Sequence, residues 1–136
     1  MILTFEDSEE EILNHIISYV GIGARAFQVA EIAKTNLNFN GLAIDITNRL
    51  VRKQRQEIDL TFIEFEVLYL LANNPGRVFS KEQIYDVVWK ESYSGDYNIV
   101  MSHIHNIREK IEDNPSKPVY IQTVWGVGYR FNQKML

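Results

Sequence analysis

Residues 119–131 read V-Y-I-Q-T-V-W-G-V-G-Y-R-F. Two runs of β-branched and aromatic residues flank Trp125-Gly126-Val127-Gly128, whose glycines supply the positive φ angles that a tight hairpin needs. Upstream, across a loop carrying Pro115 and Pro118, residues 98–112 read N-I-V-M-S-H-I-H-N-I-R-E-K-I-E. At ~100° per residue this spacing predicts a helix with Val100, Ile104, Ile107 and Ile111 on one stripe. The opposite stripe carries Asn98, Ile99, Ser102, His105, Asn106 and Glu109, with Arg108 on the flank. A face that met only water would more often hold pairs of Lys and Glu. Short neutral hydrogen-bonding groups beside an exposed isoleucine suit base edges and thymine methyls in a DNA major groove. An ordinary amphipathic surface helix fits the segment as well, until the hairpin is added. Helix, loop and C-terminal hairpin together give the recognition helix and wing of a winged helix-turn-helix.

I-R-E-K-I-E-D-N-P (107–115) followed by Y-I-Q-T-V-W-G-V-G-Y-R-F (120–131) resembles the C-terminal effector domain of the OmpR/PhoB-type response regulators of bacterial two-component systems. The resemblance runs from about Leu37 to Phe131. It implies an α+β fold: a four-stranded antiparallel sheet, a three-helix core and a hairpin wing. It also implies a sequence-specific transcriptional regulator whose partner is double-stranded DNA, with helix 98–112 in the major groove and wing 119–131 at the minor groove. Direct base contacts are then expected from Ile99, Ser102, His105 and Asn106. Phosphate contacts are expected from Asn98, His103, Arg108 and the wing. In such domains the loop between the last two helices, here Lys90 to Tyr97 with Glu91, Ser92, Tyr93, Ser94, Gly95 and Asp96, touches RNA polymerase or adjusts the helix on DNA; a plain connector is the other reading.

Two positions depart from the family pattern. Where relatives usually carry basic residues, commonly two arginines, this chain has His105-Asn106, losing up to two positive charges. Asn bonds adenine in a bidentate manner, whereas arginine favours guanine. Trp125 stands at the wing tip where many relatives place an arginine that enters the minor groove; it either packs on the sugar-phosphate backbone or caps the hairpin. A second function class therefore stays open, a degenerate winged-helix module that contacts another regulator or the polymerase rather than DNA.

With 136 residues, 46% apolar and 24% charged, the chain is long enough for one buried core and has the composition of an ordinary soluble protein. It has no cysteine, which excludes disulfides and thiolate metal ligands. The N-terminus turns acidic at once, unlike a signal peptide, and no run approaches the ~20 apolar residues of a membrane span, so a cytoplasmic protein is expected. The formal charge of −4 is uneven. Residues 1–37 hold Glu6, Asp7, Glu9, Glu10, Glu11 and Glu31 against Arg25 and Lys34. The rest holds 18 − 6 = 12 acids and 14 − 2 = 12 bases, a net of zero. The acidity belongs to the N-terminal segment, and any DNA-binding face must rely on local charge.

Residues 1–36 read as an acidic helical segment, distinct from a DNA-binding domain over 37–136. Ser8-Glu9-Glu10-Glu11 is a capping box, and Ile12, Leu13, Ile16, Ile17 and Val20 follow at helical spacing. Thirty-six residues cannot hold a receiver domain with its sheet and phospho-acceptor pocket, so the resemblance carries no phosphorylation over to them. Their apolar face either pairs two copies into a homodimer or packs on the same chain. Strands are expected near 37–40, 42–46, 50–53 and 57–60, with Asn40-Gly41 as a hairpin turn. Thr61-Phe62-Ile63-Glu64 opens a helix with Phe62, Phe65, Leu68, Tyr69 and Ala72 inward. Arg77-Val78-Phe79 reads as a brief strand. Ser80-Lys81-Glu82-Gln83 opens a second helix with Ile84, Val87 and Val88 inward. His103 and His105 lie about 200° apart on a helix and cannot chelate one metal ion. No phosphate loop, nucleophile elbow or paired catalytic carboxylate appears, so neither an enzyme nor a cofactor is expected.

Overall fold

Four short strands, β1 (Asn36–Phe39), β2 (Leu42–Asp45), β3 (Leu50–Lys53) and β4 (Gln56–Ile58), form a sheet in that order. In this computed structural model residues 36–90, 96 and 98–135 are described, and all but Asn36 belong to the unit Leu37–Leu136. The expected helix over Ser8–Val20 lies outside the described residues. The sheet is an antiparallel meander: Leu42 faces Lys53 and Asp45 faces Leu50 across β2–β3, while Val51 faces Ile58 across β3–β4. Alternation puts Phe39, Leu42, Ile44 and Val51 into the core. Gly41, at φ +82°, makes the first turn as the Asn-Gly pair foretells. At the second, Asp45 accepts from the amide and side chain of Asn48 at 3.0 and 2.9 Å, a local bond that lowers the Asp45 pKa.

Both sequence-encoded capping boxes in the described region form. Thr61 caps α1 (Phe62–Ala72) with Glu64 as the reciprocal partner, and Ser80 caps α2 (Lys81–Trp89) with Gln83. The inward residues differ from expectation at two places. Phe62 is 66% exposed and Val87 52%. Phe62 sits about 120° around the helix from Leu68, and the Arg49 guanidinium lies 4.4 Å over its ring on the outside. Val67, Leu71 and Tyr85 fill the core instead. The segment expected as a brief strand reduces to a single bridge, Phe79 to Tyr129.

Helix α3 (Asn98–Ile111) buries Val100, Ile104, Ile107 and Ile111, the stripe that periodicity specifies. Fully burying four such side chains supplies roughly 1.5–3 kcal/mol each, enough to fix the rotation of α3 about its axis. The wing follows as β5 (Ile121–Val124) paired with β6 (Gly128–Phe131), with Thr123 facing Tyr129. Gly126 takes the positive φ expected of it, +78°. Gly128 does not, and its role is close approach: a Cβ there would lie 2.8 Å from the Phe79 carbonyl carbon and from Ser80 Cα.

Candidate nucleic-acid interface

The rotation fixed by the core leaves Asn98, Ser102, His105 and Asn106 exposed together on the outer side of α3. Asp96 accepts from the Asn98 amide at 3.0 Å and so satisfies one of the free donors at the helix start. Of the loop expected to meet RNA polymerase, Asp96 is therefore placed at the head of α3, and Glu91, Ser92, Tyr93, Ser94 and Gly95 lie outside the described residues. Ile99 is half-buried and packs against the core, with only part of its side chain left for the outer face. His105 Nε2 stands 3.9 Å from Glu109 one turn on.

His103 is turned partly inward. Its Nδ1 lies 2.8 Å from the Ile99 carbonyl oxygen, which can only accept, so Nδ1 carries the proton. The ring meets Trp89 edge-on at 5.3 Å, and Trp89 in turn stacks on Tyr85. Nε2 is the other ring nitrogen, and it donates to an external acceptor only when the imidazole carries both ring protons. Nearby, Lys110 donates to buried Glu64 at 2.7 Å. Desolvation pushes the Glu64 carboxyl up. The bonds from Lys110 and Thr61, with the charges of Lys110 and His103, outweigh it and hold the group below its ordinary value.

Arg108 turns toward the wing. Its Nε and Nη2 donate to the Ile121 carbonyl at 3.2 and 2.9 Å, and Nη2 also donates to Thr123 Oγ1 at 2.8 Å. The guanidinium carbon lies 5.7 Å from the Tyr129 ring centroid. Burial lowers the Arg108 pKa, although Tyr129 and Glu112 favour its charge. The expected phosphate contact is left to Nη1 alone. One turn on, Glu112 is 6% exposed and accepts from the amides of Val119, Tyr120 and Ile121 at 2.7, 3.0 and 2.9 Å.

Trp125 projects from the wing tip, 88% exposed, and does not cap the hairpin. A cleft of about 320 Å³ runs between wing and helices, lined by Lys81, Glu82, Met101, Thr123, Trp125 and Val127 among others. Met101 was missed in the sequence because the apolar stripe accounted for the helix without it. Thr123 and Glu112 were missed because their partners are distant in the chain.

Charge on the α3 face is sparse. Asn98, Ser102, His105, Asn106 and Glu109 include no Lys or Arg, Arg108 faces the wing and Lys110 is paired with Glu64. Among the described residues no group of three or more His, Cys, Asp or Glu could hold a metal ion. No described helix is long and apolar enough to cross a membrane.

Sheet, three helices and a two-stranded wing define a winged helix-turn-helix protein. The chain belongs to the family of C-terminal domains of transcriptional regulatory proteins, whose model matches residues 55–131. It is 48% identical over 97 residues to the uncharacterized transcriptional regulatory protein YcbL of Bacillus subtilis, covering 71% of this chain and 43% of that one. The chain thus spans less than half the length of this relative. Among solved structures it is similar to the response regulator DrrB of Thermotoga maritima, an OmpR/PhoB homologue, with 38% identity and a TM-score of 0.69 over 82% of this chain and 51% of that one. It is similar also to the DNA-binding domain of RstA from Klebsiella pneumoniae, solved in complex with the RstA box, with 29% identity and a TM-score of 0.67 over 71% of this chain and 96% of that one. Fold and family together make it an effector domain of the OmpR/PhoB response-regulator type.

Proposed function

We propose that this chain regulates transcription by binding double-stranded DNA with α3 in the major groove and the wing tip at the minor groove. Asn98, Ser102, His105 and Asn106, gathered on one exposed face by the burial of Val100, Ile104, Ile107 and Ile111, carry this reading. Asn106 reads a base, His105 and Ser102 contact base edges, and the exposed part of Ile99 meets a thymine methyl. Asn98 holds a phosphate, His103 Nε2 holds another when the imidazole carries both ring protons, and Trp125 lies against the backbone beside the minor groove. The complex formed by the RstA domain supports the docking geometry by analogy of fold.

A face this poor in Lys and Arg releases few counterions, so its affinity should depend less on salt than a face with two arginines would. Selection from a random duplex pool, followed by titration of the selected duplex at several salt concentrations, tests the proposal. A preferred sequence with salt-dependent affinity is expected. Failure to enrich any sequence, together with nuclease-resistant association with a protein partner, would overturn it in favour of an interaction module.

A further inference from the structure

We propose that Arg108 is a positioning residue for DNA recognition: with Glu112 it clamps the wing to α3 and so fixes the distance between the groove-reading helix and the wing tip. The proposal rests on the DNA-binding reading above. Arg108 lies in the last turn of α3 and Glu112 immediately follows the helix, four residues on and on the same flank. Between them they engage both backbone polar groups of Ile121, the carboxylate taking its N–H at 2.9 Å and the guanidinium its C=O at 2.9 and 3.2 Å. Strand β5 pairs with β6 on one side only, so its other edge would present unpaired groups. The end of α3 stands in for a third strand there. Arg108 also binds Thr123, the cross-strand partner of Tyr129, and Tyr129 exchanges two backbone bonds with Phe79 at 2.8 and 2.9 Å. Helix, wing and the start of α2 are thereby joined at one guanidinium. A forked donor can satisfy a carbonyl and a hydroxyl at once; an ammonium is a single point charge.

Binding is compared for wild type, Arg108→Gln, Thr123→Val, Trp125→Ala and Arg108→Gln/Trp125→Ala, on two duplexes carrying the selected sequence. The long duplex extends beneath the wing and the short one ends before it. Arg108→Gln should weaken binding about tenfold on the long duplex and less than about twofold on the short one. On the long duplex the double variant should bind no worse than Trp125→Ala. Without DNA, hydrogen exchange of the wing amides should quicken in Arg108→Gln and Thr123→Val, while the α3 amides stay as in wild type. Equal loss on both duplexes, with the salt slope reduced by about one, would overturn the clamp and make Arg108 a phosphate contact. Should Arg108→Gln fail to fold, Thr123→Val decides: unchanged wing exchange and unchanged long-duplex affinity would overturn the proposal. Should wild type bind neither duplex, the DNA-binding reading falls, and the exchange rates alone judge whether the clamp exists.

Discussion

Gly128 and Phe79 approach so closely that a Cβ on the glycine would stand on the Phe79 carbonyl and 2.8 Å from its carbon. The obstacle is backbone, held by paired bonds to Tyr129, and cannot swing aside as a side chain would. Gly128→Ala should therefore destabilise the protein at or above the upper end of the ~1–3 kcal/mol usual for overpacking. Gly126→Ala meets open space at φ +78° and should cost roughly 1 kcal/mol of backbone strain. Urea denaturation of both variants checks the order, and a larger loss at Gly126 would contradict it.

Asn106 is exposed on the α3 face, without contacts that the core depends on. Asn106→Ala should cost ~1–3 kcal/mol of DNA affinity and relax preference at one base pair. Stability should change by less than about 0.5 kcal/mol. Binding to single-base variants of the selected duplex provides the measurement. Uniform weakening across all variants would remove Asn106 from base readout.

His105 stands 3.9 Å from Glu109 on the exposed face of α3. His105→Arg should tighten binding and steepen the salt slope by up to about one unit, through the added positive charge on the groove-reading face. Affinity measured between about 50 and 200 mM salt decides this. An unchanged slope would mean that the position faces away from the duplex.

Glu64 offers a stability test through pH. Its folded pKa is lowered, so its ionic stabilisation is present above the unfolded carboxylate value of ~4.3 and disappears as pH falls through the folded value. Glu64→Gln keeps a side chain able to complete the capping box, as Gln83 does at α2. It mainly removes the charge opposite Lys110. The variant should be less stable than wild type by about 1.5–3 kcal/mol at pH 7, and the gap should close as the pH falls below about 4. Denaturation at stepped pH reads the difference, and a constant gap from pH 7 to pH 3 would refute the assignment.

The parts of the fold that were legible in the sequence are those written in local spacing. Val100, Ile104, Ile107 and Ile111 announce the buried face of α3, Asn40-Gly41 announces its hairpin, and Thr61/Glu64 and Ser80/Gln83 announce two helix starts. Phe62 and Val87 were misplaced because hydrophobicity names candidates for a core without saying which side of a short helix the core will cover. Arg108 shows the limit of the same reasoning at the site. Its flank position was visible, but its acceptors, 13 and 15 residues onward, are brought to it only when the wing folds back. Glu112 was likewise one charge among many until three amides converged on it.

At the far side of the molecule the Asn40 amide donates to the Met135 carbonyl at 2.8 Å, and the Tyr120 hydroxyl donates to the Asn40 carbonyl. The first turn of the sheet is thus completed by residues 80 and 95 positions further along the chain. Synthesis from the N-terminus can lay down the sheet and helices early, yet closure of this turn must wait until both Tyr120 and Met135 have been made. Cutting the chain between Phe131 and Met135 would therefore remove one of the two bonds that hold the β1–β2 turn, made by a residue 95 positions away, and leave the Tyr120 hydroxyl to hold it alone.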